Sequence, residues 1–129
     1  NVSKINPKSD AVTATLTVGV EPTAVAFDGS SIWVANSGAS SVTKIEPKSV
    51  VVLDAGVNVG IVPIAVAFDG TSVWVGNAVS NTLSRINPAT SAVTATVAVG
   101  GAPSGMAFDG ANVWVTNSSS NTVSKINAG

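Results

Sequence analysis

One motif recurs along the chain every 40–41 residues, and no other feature restricts the possible folds as sharply. Phe27, Phe68 and Phe108 stand 41 and 40 residues apart, and Trp33, Trp74 and Trp114 keep the same spacing. These six are the only aromatic residues. Asp-Gly follows each Phe, at Asp28-Gly29, Asp69-Gly70 and Asp109-Gly110. Asn36, Asn77 and Asn117 each come three residues after a Trp. Val-Gly pairs at 18–19, 59–60 and 99–100 are each followed, three residues later, by Pro22, Pro63 and Pro103. A second proline column runs Pro7, Pro47, Pro88, and a Val-Ser-Lys-Ile type of segment begins at Val2, Val42, Leu83 and Val123. A period of this length marks a repeat architecture, in which each unit buries its apolar faces only against its neighbours.

Each unit reads as four short strands, a to d. In the first full unit, strand a is Thr23 to Phe27, and Asp28-Gly29 accepts the positive φ of a two-residue hairpin. Strand b is Ser31 to Ala35, ending at Asn36 and a small polar loop, Ser37 to Ser40. Strand c is Ser41 to Glu46, stopped by Pro47, which has no N–H for a ladder. Strand d is roughly Val50 to Val57, after which Gly60 and Pro63 lead into the next unit. Val, Ile, Thr and Trp dominate, as strands prefer, and the runs are too short for ordinary helices. Runs such as Ile32-Trp33-Val34-Ala35 are apolar or small on both faces, which suits a sheet covered on both sides. The expectation is an all-β chain forming a β-propeller of four-stranded antiparallel blades, about three per chain. It forms one segment over 1–129, with c-d strands in 1–19, full repeats at about 20–60 and 61–100, and an incomplete repeat at 101–129.

Here the residues resemble a known group. Val66-Ala67-Phe68-Asp69-Gly70, Val73-Trp74-Val75-Gly76-Asn77 and Asn81 through Thr90 look like bacterial YVTN-type propeller repeats. They are also similar to the repeats of streptogramin lyase-like and NHL propellers. The resemblance covers the whole chain, with Trp where the YVTN name has Tyr and an irregular stretch from Lys48 to Asp54. It implies the propeller fold and, since such repeats serve many roles, no single activity. Streptogramin lyase-like enzymes use a His base beside a metal, and this chain has no His to which that role carries over.

Composition narrows function further. Lys and Arg total 6 against 7 Asp and Glu, a net charge of −1. Nucleic-acid and anionic-membrane surfaces need clustered positive charge, so neither is an expected partner. No apolar run reaches the roughly 18 residues of a membrane span. With no Cys and no His, disulfides, thiolate nucleophiles, Cys/His metal sites and imidazole triads are all excluded. No catalytic residue, metal site or cofactor is expected, and the chain reads as a binding or assembly scaffold. Its 10% of charged residues suit an extracellular, cell-surface or periplasmic setting.

In strands, the chain reads c-d, abcd, abcd, abc. Joining the last abc to the first d completes one blade and leaves a spare c strand, since Val2 to Asn6 and Val123 to Asn127 have identical sequences. Two expectations follow: a homodimer of six blades, two of them shared between copies, or an excerpt of a longer streptogramin lyase-like or lectin-like propeller.

Candidate ligand-binding residues lie on the face that carries the b-to-c and d-to-a loops: Asn36, Ser37, Asn77, Ser80, Asn81, Asn117, Ser118 and Asn121. Loops on a rigid scaffold are where binding usually sits, and the ligand would be a protein or a glycan. The three Asn equally suit local turns, where Asn tolerates a left-handed backbone. Asp28, Asp69 and Asp109 read as hairpin turn residues, too far apart to pair on a cation. Lys4, Lys44, Arg85 and Lys125 form a basic column with stems on a neighbouring blade and heads in water. Trp33, Trp74 and Trp114, with the Phe column, are expected between blades rather than as sugar-stacking platforms.

Overall fold

The structure, a computed structural model, describes residues 1–129. Thirteen strands follow one another, with one 3-10 turn at Ser37–Ala39. β1 (Val2–Asn6) pairs with β2 (Ala11–Leu16) as a two-stranded sheet. β3 (Pro22–Phe27), β4 (Ile32–Asn36), β5 (Ser41–Glu46) and β6 (Val51–Asn58) form the first complete blade. β7 (Pro63–Phe68), β8 (Val73–Asn77), β9 (Thr82–Asn87) and β10 (Ala92–Ala98) form the second. β11 (Pro103–Phe108), β12 (Asn112–Asn117) and β13 (Thr122–Asn127) make a three-stranded third. Every pairing is antiparallel between consecutive strands, as in propeller blades.

Local chemistry sets each turn. At the a–b hairpins the Asp Oδ1 accepts two backbone N–H groups, those of Ser30 and Ser31 in the first blade, and Gly29 takes φ +92°. At the c–d turns Asn6, Glu46 and Asn87 accept the N–H two residues on, and Asp10, Val50 and Ser91 adopt the left-handed region. Val50 does so with a branched Cβ, at a cost of roughly 1–2 kcal/mol. Strand a begins at Pro22, one residue before expectation, because a proline is tolerated at a strand's first position. Strand b runs to Asn36, so the Asn column lies inside the strand rather than in the loop.

The blades stack through their a strands, β3 on β7 and β7 on β11. Strand alternation gives each blade two faces. One face carries the Trp and meets the following blade; the other carries the Phe and meets the preceding one. Trp33, Val42 and Val57 pack with Val73, Val75 and Ile86 of the second blade, with Val66 and Phe68 alongside. One blade further on, Trp74 and Leu83 pack with Val113 and Val115, flanked by Met106 and Ile126.

The aromatic columns are therefore not buried throughout. Trp33 and Trp74 are 0% and 2% exposed, but Trp114 is 40% exposed because its face ends the stack. Phe27 is 54% exposed because the β1–β2 sheet before it offers only c and d strands and leaves strand a uncovered. Phe68 is half-buried and Phe108 is exposed at the rim of its interface. Between β1–β2 and the first blade runs an apolar groove of about 340 Å³, floored by Val25, Ile32 and Ile45.

Candidate functional site

On the loop face, the b–c and d–a loops meet as expected. The N–H groups of Ser37, Ala78 and Ser118 donate to the carbonyls of Glu21, Val62 and Ala102. Those three acceptor residues all have positive φ, including the β-branched Val62 at +57°. The candidate side chains act within this seam. Ser37 Oγ donates to the Glu21 carbonyl at 3.1 Å, and Ser118 Oγ to the Ala102 carbonyl at 3.0 Å. Ser80 Oγ accepts the Ile61 N–H at 2.8 Å, and Asn81 Oδ1 accepts the Ala102 N–H at 2.9 Å. Asn121 is exposed, with φ +53°.

Asn36, Asn77 and Asn117 are placed beneath this surface, 0%, 0% and 1% exposed. Asn36 has φ −113°, so an extended backbone replaces the left-handed turn considered for it; Ser40, Asn81 and Asn121 hold the left-handed position instead. Each Nδ2 donates to hydroxyls of its own c strand: Thr43 at 2.9 Å, Ser84 at 3.0 Å and Ser124 at 2.9 Å. Each Oδ1 is buried without a protein partner. Gly19, Gly60 and Gly100 lie directly over these amides, where a Cβ would fall 2.6–2.7 Å from the Asn Cγ. The recurring glycine of each Val-Gly pair is thus required by close approach to the Asn.

A second constellation sits at the opposite ends of the same strands. Trp33, Trp74 and Trp114 donate Nε1–H to Oδ2 of Asp28, Asp69 and Asp109 at 2.7, 2.6 and 2.7 Å. Burial works against ionisation of Asp69, but the bonds from Trp74 and the Ser72 and Thr71 amides outweigh it and hold the carboxyl below its usual range. Asp28 is lowered in the same way: burial opposes ionisation, and the Ser31 amide, Trp33 and the Ser30 amide prevail. Asp109 is lowered most of the three, chiefly by the Trp114 indole, then by the Asn112 and Ala111 amides. Each carboxylate is thus consumed by its own hairpin, and no three His, Cys, Asp or Glu side chains converge.

The basic column also differs from expectation. Lys44 Nζ lies 5.2 Å from the Trp33 ring centroid and donates to the Pro88 carbonyl of the next blade at 2.6 Å. Arg85 lies 5.3 Å from Trp74 and donates to the Ala128 carbonyl at 3.1 Å. Lys4 donates to the Pro47 carbonyl at 2.8 Å. These heads do not simply reach water: each latches a c strand to the residue that follows the c strand of the next blade. Lys125 stands 5.4 Å from Trp114 at the open end. The fixed five-residue Asp-to-Trp spacing was the available signal for the indole bond; the latches leave none, because their acceptor is a backbone carbonyl.

No family model matches the chain, nor does any curated protein. Among solved structures, hydrazine synthase from Kuenenia stuttgartiensis is similar, with a TM-score of 0.77 and 25% identity over 92% of this chain and 36% of that one. A functionally unknown protein from Desulfotomaculum acetoxidans matches with a TM-score of 0.71 and 18% identity, over 95% of this chain and 46% of that one. A streptogramin B lyase structure matches with a TM-score of 0.56 and 15% identity, over 77% and 37% of the two chains. The chain thus spans less than half the length of the structures it matches. The blade layout and these likenesses together establish a β-propeller fold for the chain, the fold it shares with the streptogramin B lyase structure.

Proposed function

We propose that the chain is a non-catalytic propeller module whose role is assembly: an open stack of blades that closes on a second copy of itself. The observation that carries this is the contrast within one column, with Trp33 and Trp74 buried and Trp114 40% exposed. The floor that covers Trp33 is Phe68, Val73, Val75 and Ile86. Its repeat equivalents at the other end of the stack are Phe27, Ile32, Val34 and Ile45; β1 and β2 already cover Val34 and Ile45, while Phe27 is 54% exposed and Val25 on the same face of its strand is 61% exposed. One open end thus presents the knob and the other presents the strand-a part of its seat. Head-to-tail contacts of this kind form rings where the rotation between copies closes, as a two-fold does, and filaments where it does not; an obligate pair buries roughly 2,000 Å² or more. The lack of His and Cys, and the engagement of Asp28, Asp69 and Asp109 within their hairpins, support the absence of catalysis.

The test is native mass spectrometry of the 129-residue chain beside its tryptophan emission. A dimer is expected, with a blue-shift on association that Trp114→Phe removes. A monomer at all concentrations, with invariant emission, would refute self-closure. A second reading is supported by the chain's short span of its structural neighbours: the covering blades belong to the same polypeptide. It predicts that monomer. Turnover of a streptogramin-type lactone by the chain would overturn the non-catalytic assignment.

A further inference from the structure

Closure on a second copy, the reading above, brings two identical strands to one place. The blade begun by β11 and β12 needs one c strand between β12 and the partner's β2, and both β13 and the partner's β1 have the sequence Val-Ser-Lys-Ile-Asn. We infer that β13 keeps the position and that the partner's β1 leaves it, so that the shared blade is β11, β12, β13 and the partner's β2.

The decisive difference is the b–c loop. β13 is tied to β12 through residues already bonded in place: Ser118 and Ser119 donate N–H to the Ala102 and Gly101 carbonyls, and Gly101 N–H is received by Ser120 Oγ. Asn117 Nδ2 donates to both Thr122 Oγ1 and Ser124 Oγ. A β1 strand in the same position offers Asn1 where Thr122 stands, and its arrival strips the loop of its anchor. The loop also holds an acceptor that only a d strand uses. In the complete blades, Val59 and Val99 donate N–H to the Ser40 and Asn81 carbonyls, at 3.1 and 3.0 Å. The equivalent pair here is the partner's Val18 and the Asn121 carbonyl, which exists in place only while β13 stays.

Displacing β1 costs the turn at Asn6, which accepts the Lys8, Ser9 and Asp10 N–H groups, but β13 restores the strand pairing itself. The register that β2 keeps with β1, Leu16 on Val2 and Thr15 on Ser3, transfers to Val123 and Ser124. Thr13 Oγ1, which donates to the Lys4 carbonyl, meets the Lys125 carbonyl instead. Lys125, already over Trp114, takes the place of Lys4 as donor to the partner's Pro47 carbonyl.

Hydrogen exchange read by mass spectrometry on the dimer of the 129-residue chain tests this. Peptides covering 2–6 should exchange at unfolded rates, while those covering 122–127 and 11–16 are protected. Protection of 2–6 with exchange of 122–127, or protection of both, overturns the inference and leaves dimerisation standing. A chain that never dimerises overturns the assembly reading, and this inference with it. As a second measurement, Lys125→Ala should weaken dimerisation roughly ten-fold at each junction, as loss of a charge-assisted bond predicts. Ile5→Ser should leave it unchanged. A larger effect from Ile5→Ser than from Lys125→Ala overturns the strand assignment.

Discussion

Replacing Asp69 with Ala isolates what the Asp–Trp bond contributes, because the same motif exists in the chain at two levels of burial. Asp69 is 7% exposed and receives three N–H groups: Trp74 Nε1 at 2.6 Å, Ser72 at 2.6 Å and Thr71 at 2.8 Å. In Asp69→Ala the Trp74 indole N–H stays in a site where Trp74 is 2% exposed, so it loses its acceptor without regaining water. An orphaned buried donor costs about 1–3 kcal/mol, and the lost turn bonds add roughly 1 kcal/mol. The expected loss is about 3 kcal/mol. Asp69→Asn should recover only part, since its single carbonyl oxygen cannot serve both the turn amides and the indole. Asp109 makes the same bonds at an exposed end, where water replaces them, so Asp109→Ala should cost distinctly less. Urea denaturation followed by far-UV circular dichroism at pH 7, at a protein concentration where the chain is monomeric and the Trp114 end stays uncovered, measures all three. A loss for Asp69→Ala no larger than that for Asp109→Ala would refute the reasoning, because Asp109 has one partner more, the Asn112 side-chain amide, and only its exposure lowers the cost.

Gly60→Ala should destabilise by roughly 1–3 kcal/mol, since overpacking a filled site forces its neighbours to shift. Its Cβ would meet Asn77 Cγ at 2.6 Å and Nδ2 at 2.8 Å, and an unchanged melting temperature would contradict that contact. Acid should destabilise the chain. Asp28, Asp69 and Asp109 are held below the ordinary carboxyl range, and Glu46 is lowered to about 2 by the Ser49 hydroxyl and the Ser49 and Lys48 amides. For depressed carboxyls, the stabilisation is full above the unfolded pKa and is lost as pH falls through the folded one. With no His, the melting temperature should hold between about pH 8 and 5 and drop below about pH 4. Greater stability at pH 3 than at pH 7 would reverse the sign and count against these bonds.

The blade was legible from residue order because its determinants are local. Asp28-Gly29 makes the a–b hairpin wherever it stands, Pro47 stops strand c by lacking an N–H, and the column spacing repeats both. The meander that results is the one the period predicted. Of the candidate loop residues, Asn36, Asn77 and Asn117 lie buried beneath the loop face, and the roles of these side chains were not legible. Asn36 looks like a turn residue in sequence; only the close approach of Gly19, seventeen positions earlier, shows that its amide is sealed inside.

Burial of the aromatic columns belonged wholly to the tertiary structure. Trp33, Trp74 and Trp114 have near-identical neighbours in sequence, yet two are buried and one is 40% exposed. A propeller blade has no interior of its own, so each face is covered only if another blade lies against it. The latches from Lys4, Lys44 and Arg85 follow the same logic, since their acceptors are carbonyls of the next blade. Sequence determines the blade because its hydrogen bonds run between neighbours in the chain. Stacking decides the environment of every side chain on its faces, because those contacts join residues about 40 positions apart.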